Sequence, residues 1–194
     1  MKQKRKCVHL LASLLISISI GFSSGTAVAA TVLQMNLAQL CERAEKIFSG
    51  TVINIKPGTV AAGGGLIPVL HYRVQISESF KGDFKAEKGK TFAEFTMVGT
   101  LKTHTAQQTF MPKLQQGKNY LLMLADAGPV GITSTVGLVQ GSFEFQHDKD
   151  SLIVNGVGNR GLFNGLNIAS TKQQGTISYR ELANKIHQGL AEGF

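Results

Sequence analysis

The 194-residue chain has no tryptophan, two cysteines and four prolines, and only 16% of its residues are charged. Each scarcity excludes something. Cys7 sits in a basic N-terminal segment, so Cys41 is the one thiol left in the body of the chain. With no internal disulfide available, the fold must rest on its own hydrophobic core. Cys41 falls on the apolar face of an expected helix and reads as a small buried side chain, the alternative being an intermolecular disulfide. No uninterrupted apolar run approaches the ~20 residues that span a bilayer. Signatures of chemistry are missing too. Past residue 29 there is no Gly-x-Ser-x-Gly and no Ser-x-x-Lys, and Ser142 in Gln-Gly-Ser-Phe-Glu reads as strand, not as a nucleophile elbow. His71, His104, His147 and His187 are scattered singly, without His-Glu-x-x-His spacing or a cysteine pair, so no metal and no cofactor is expected. Residues 147 to 150, His-Asp-Lys-Asp, lack the alternating oxygen ligands of a calcium loop and read as a turn. Gly63 to Gly65 precede a strand and no Lys-Ser/Thr pair, so no phosphate loop is expected there.

What is present begins with a leader. Lys2, Lys4, Arg5 and Lys6 precede an uncharged run from Val8 to Ile20, and Ala27-Val28-Ala29 supplies an Ala-x-Ala site. This is the pattern of a signal peptide over residues 1 to 29, cleaved after Ala29, with Ala30 as the alternative. The apolar core is short for an anchor, and Cys7 is misplaced for a lipoprotein. The protein is therefore expected to be exported, periplasmic or extracellular, with no stable membrane span after cleavage. Losing the four leader cations lowers the formal charge from +8 to about +4. That is too little for the concentrated basic patch of a nucleic-acid binder, so no nucleic-acid partner is expected.

Residues 30 to 194 read as one β-rich domain. Leu37, Leu40, Cys41 and Ala44 share a helical face, Asn36 and Gln39 have capping-box spacing, and Ser49-Gly50 is expected to end the helix before a strand at Thr51. Residues 57 to 65 read as a flexible connection. In Tyr72 to Gly82, Leu70, Tyr72, Val74 and Ile76 alternate with His71, Arg73, Gln75 and Ser77, the period of a strand with one buried side. Phe80 is expected to cap that core, and Gly82 to turn the chain with a positive φ. Residues 91 to 99 predict another strand, 119 to 126 a central strand covered on both sides, and the stretch from Gly137 a further one. A helix over about 178 to 191 closes the chain, with Ser178 and Glu181 at capping-box spacing and Ile177 and Leu182 at staple spacing.

Four short motifs, Gly50-Thr51-Val52, Phe80-Lys81-Gly82, Gly117 to Leu122 (Gly-x-x-Tyr-Leu-Leu) and Gln140-Gly141-Ser142-Phe143, resemble those of a broad set of uncharacterised exported bacterial proteins over roughly residues 31 to 190. Residues 47 to 124 also resemble the netrin-like module of tissue inhibitors of metalloproteinases and of complement and netrin tails, which is an OB barrel. The resemblance implies a small barrel. It does not carry over the inhibitors' mechanism, since they chelate zinc with an N-terminal Cys and the only Cys here lies some ten residues inside. Together these features predict a mainly β, α+β fold: an OB-like, partly open antiparallel barrel with a helix at each end of the mature chain. The expected function is a non-enzymatic exported binding or envelope-associated module whose partner is a protein or envelope component. Barrels of this kind bind on one sheet face and its rim loops. That points to Arg73 and Gln75 on the polar strand face and to Lys102 and His104 in the loop from Leu101 to Thr109. The rivals are a secreted hydrolase and a loop-based protease inhibitor. A deep pocket joining Glu94 or Glu144 to a histidine would favour the hydrolase.

Overall fold

Asn36 starts the first helix as its spacing predicts. Its side chain accepts from the Gln39 amide at 3.0 Å while its own amide donates to the Gln39 side chain at 3.0 Å, and α1 runs Leu37–Arg43 with Leu37, Leu40 and Cys41 buried. The helix stops earlier than the sequence suggests. Ala44 is already extended, and Ser49-Gly50 lies inside β1 (Lys46–Ala62) instead of ending the helix. The reason is burial on both sides: Ile47 packs into one hydrophobic cluster and Phe48 into another, and only a strand sends consecutive side chains to opposite faces.

The computed structural model describes residues 33–101, 111–147, 151–166 and 174–194. The leader with its Ala29 site, the candidates Lys102 and His104, and Asp148 to Asp150 lie outside these residues. After β1 come β2 (Gly65–Lys81), β3 (Lys85–Glu87), β4 (Lys90–Val98), β5 (Asn119–Leu124) and β6 (Ile132–Thr133). A 3-10 turn (Leu138–Gly141), β7 (Ser142–His147), β8 (Leu152–Asn155), β9 (Ile177–Ser178) and α2 (Tyr179–Glu192) complete the chain. The strands form one sheet in the order β3-β4-β2-β1-β5-β7-β8-β9, antiparallel throughout, and β6 joins β4 in parallel. The sheet stays open and does not close into a barrel. At one end, the segment after β6 reaches from β4 to the end of β5, where Thr135 bridges Leu124 and the Val136 amide donates to the Met123 carbonyl at 2.8 Å. The protein is thus mainly β, with a helix near each end of the described chain.

Two clusters share the core. Leu40, Ile47, Leu121, Phe143, Ile153, Leu182 and Ile186 belong to the first, and Phe48, Val52, Tyr72, Val74, Met97, Tyr120 and Leu122 to the second. β5 feeds both, as expected of a strand covered on its two sides. The face carrying Tyr72 and Val74 is buried as its alternation predicts, but Phe80 does not cap that cluster; it packs against the first one. Register shifts leave Ser77 and Phe80 unpaired on β2, and such bulges re-aim the side chains they contain. Gly82 does turn the chain, at φ 93°. Residues 57 to 65 are not a loose connection: the β1–β2 ladder continues to Ala62↔Gly65 and reverses on Gly63 and Gly64. Their φ values of 59° and 79° are the paired left-handed residues of a two-residue hairpin turn. Gly137 starts the 3-10 turn, so the strand expected there begins only at Ser142. Ile177 and Leu182 are both buried, but Ser178 makes no side-chain cap, and the expected capping box of α2 is absent.

Candidate functional site

The polar faces of β1, β2 and β4 are held in register. Asn54 pairs with Arg73 and Arg73 with Glu94, while Lys56 pairs with His71 and His71 with Thr96, giving two polar rows across three strands. These rows and Glu45, Lys46, Ala125, Asp126 and Thr133 line an open groove of about 630 Å³. Such a volume falls in the range of small-ligand sites.

Arg73, singled out in the sequence, lines this groove. Its guanidinium meets Glu87 at 2.5 Å and Glu94 at 3.2 Å, and lies 4.3 Å from the centre of the Phe92 ring. It is a cross-strand clamp before it is anything else. Gln75 is not in the groove lining; it accepts from Lys90 Nζ at 3.2 Å on the neighbouring strand. The structure therefore separates the two candidates that strand alternation put together.

Glu94 and His71 do share the groove, but no hydrogen bond joins them. His71 Nδ1 meets Thr96 Oγ1 at 2.9 Å, and Glu94 is paired with Arg73. Glu144 lines a separate cavity of about 270 Å³ with no histidine in its lining among the described residues, and it is paired with Lys118 at 2.5 Å. Tyr72 stacks on Phe95, with centroids 5.3 Å apart, and burial, then the neighbouring Tyr120, pushes its phenol up to about 12. By contrast, the side chains of Glu45, Asn54, Lys56 and Asp126 make no ion pair or side-chain hydrogen bond among the described residues.

Cys41 fits the buried reading. Desolvation pushes its thiol up to about 12, against the opposing pull of Lys81, so the thiolate needed by a Cys-His enzyme is not formed. Among the described residues no group of three or more His, Cys, Asp or Glu side chains is placed to hold a metal. No described helix is long and apolar enough to cross a membrane.

The motifs that looked distinctive in sequence have structural duties. A Cβ at Gly50 would run into the Gln75 carbonyl oxygen, so Gly-x-Val marks a close approach of two strands. Lys81 donates to the Cys41 carbonyl at 3.2 Å, tying the end of α1 to β2. The Tyr120 hydroxyl accepts the Gln115 amide at 3.1 Å. Gln140, buried, accepts from the Met35 amide and donates to the Leu33 carbonyl, both at 2.9 Å, and so pins the segment before α1.

Sequence reasoning missed one polar chain altogether. Ser49 Oγ lies 2.7 Å from the Tyr179 hydroxyl, which donates to Glu78, and the other Glu78 oxygen meets His187 Nε2 at 2.9 Å. Its members come from three distant segments, β1, β2 and α2, and no local spacing announces them. The chain matches no protein-family model, and comparison with curated proteins finds no significant relative.

Proposed function

We propose that the protein is an exported binding module without catalytic activity, and that the groove across β1, β2 and β4 is its ligand seat. The observation that carries this reading is the division of labour among the lining side chains. Those that could do chemistry, Glu94 and His71, are tied to Arg73 and Thr96, while Glu45, Asn54, Lys56 and Asp126 keep their donors and acceptors uncommitted. Uncommitted groups of both charge signs around one cavity suit a polar ligand that itself carries both signs, such as an extended peptide segment of an envelope or secreted protein. The signal-peptide pattern and the resemblance to an OB-type module support the same reading. A secreted hydrolase is the second reading, because Glu94 and His71 line one groove. It ranks lower, since Glu94 and His71 are engaged by Arg73 and Thr96 and no hydrogen bond joins them to each other.

The test is a pull-down from envelope and culture-supernatant fractions with the chain from Ala30, beside a Lys56→Glu, Asp126→Lys variant and an Arg73→Ala, Gln75→Ala variant. A specific partner whose affinity falls about tenfold or more, roughly 1.4 kcal/mol, in the Lys56/Asp126 variant supports the seat. A partner bound equally by all three proteins removes the groove from consideration. Turnover of a hydrolase substrate panel that disappears in Glu94→Gln or His71→Ala would replace binding by catalysis.

A further inference from the structure

We propose that Glu78 is a proton-responsive clamp that sets how firmly the C-terminal helix α2 is docked on the sheet. Two side chains of that helix, eight residues and about 12 Å of helix axis apart, converge on this one carboxylate. Tyr179 in the first turn donates to one oxygen, and His187 Nε2 lies 2.9 Å from the other. Both are braced: Tyr179 also meets the buried Ser49 Oγ and packs against Phe145 at 5.0 Å, and the His187 ring lies 4.6 Å from Phe80. The rest of the attachment is a backbone bond from the Tyr179 amide to the Ser151 carbonyl at 2.7 Å, Lys185 over the Phe163 ring, and the buried side chains of Leu182, Ala183 and Ile186. A single carboxylate thus joins the first turn of the helix and a position two turns further on to β2.

The charge on that carboxylate is what the clamp uses. Partial burial pushes its titration up, but the hydrogen bonds from Tyr179 and His187, and the charge of His187, outweigh burial and leave it below the ordinary carboxylate range. Tyr179 responds in the opposite sense, its phenol raised by burial and by Glu78. No other titratable group acts on Glu78 among the described residues. Of the other cations on β2 and α2, Lys81 donates to the Cys41 carbonyl, Arg73 pairs with Glu87 and Glu94, Lys185 faces Glu181, and Arg180 makes no ion pair among the described residues. His187 is not the breaking point, because Nε2–H can donate to Glu78 whether or not the ring is charged. With a lowered carboxylate, the contribution is present above the unfolded-state titration and is lost as pH falls through the folded-state one. Acidification therefore loosens α2 first and leaves the strands paired.

Hydrogen exchange of the full chain, read by mass spectrometry over a descending pH series and corrected for intrinsic rates, tests this with wild type, Glu78→Gln and Tyr179→Phe. Protection of α2 relative to β5 should fall roughly fivefold in wild type as Glu78 titrates, a modest effect because the pair is partly exposed. Glu78→Gln should show the loosened helix at every pH, so that the two proteins converge in acid. A ratio of α2 to β5 protection that stays flat in wild type, or that follows the same profile in Glu78→Gln, overturns the proposal. Should Glu78→Gln fail to fold, an NMR titration of wild type decides: the Glu78 carboxyl and the α2 amides must move with one midpoint, and separate midpoints overturn it.

Discussion

Between Ile47 and Val52 the β1–β2 hairpin is interrupted by register shifts and flanked by β5; from Asn54 to Ala62 it is an unbroken ladder that ends on two glycines. The same two strands thus obey different rules along their length. In the inner half, Ile47 and Phe48 serve different clusters, and Gly50 lets the β2 backbone come close. The ladder gives way at three places there, between Ile47 and Phe48, between Ser49 and Gly50, and between Val52 and Asn54. At the tip of the outer half, beyond Thr59 and Pro68, nothing competes with local geometry. Residues 57 to 70 carry no charge, Leu66 is 71% exposed, and past Pro68 each strand pairs only with the other. Irregularity is thus confined to the end of the hairpin that also pairs with β5, and at the exposed tip the two-glycine turn keeps the ladder regular.

Substitutions can break that contrast in graded fashion. Phe48→Ala, at a side chain with no exposure in the inner half, should cost the most, about 4 kcal/mol by chemical denaturation. A cost below about 1 kcal/mol would mean that the second cluster can collapse around the space. Gly50→Val should follow at about 3 kcal/mol, since the added carbons meet the Gln75 carbonyl oxygen and backbone has to move. In the outer half, Gly63→Val meets no neighbouring atom and should lose only about 1 kcal/mol, the cost of forcing a branched residue into the left-handed region. Leu66→Ser should shift stability by less than about 0.5 kcal/mol, and a larger loss would show that something covers the arm. Cys41 supplies a second readout for all four proteins: with its thiol pushed up to about 12 and buried, alkylation near pH 8 should track unfolding, and prompt labelling of folded protein would contradict its place in the core.

Several elements were legible because their signals are local. The Asn36/Gln39 capping box, the alternation through Tyr72 and Val74 and the apolar run of β5 all depend on residues a few positions apart. The misreadings share a cause. Locally, Ser49-Gly50 has the pattern of a helix end and residues 57 to 65 that of a flexible connection, because glycine breaks elements when only neighbours are considered. In the fold, Gly50 is needed by the close approach of its paired strand β2, and Gly63 and Gly64 are the turn itself. The site was less legible still. Alternation placed Arg73 and Gln75 on one face, but not that Arg73 would be engaged by Glu87 and Glu94, nor that Gln75 would fall outside the groove.

The sequence by itself determined which residues are apolar at helix or strand period, that Cys41 is the one thiol in the body of the chain, and the pattern from which export is expected. These are properties of composition and of spacing within one element. Only the tertiary structure decided which partner each side chain meets: that Phe80 leaves the cluster of Tyr72, that Glu94 and His71 share a groove without touching, and that Ser49, Glu78, Tyr179 and His187 form one chain. Such pairings are set by strand order and by bulges, and a bulge depends on which side chains must be buried together, a quantity that does not exist until distant segments have met.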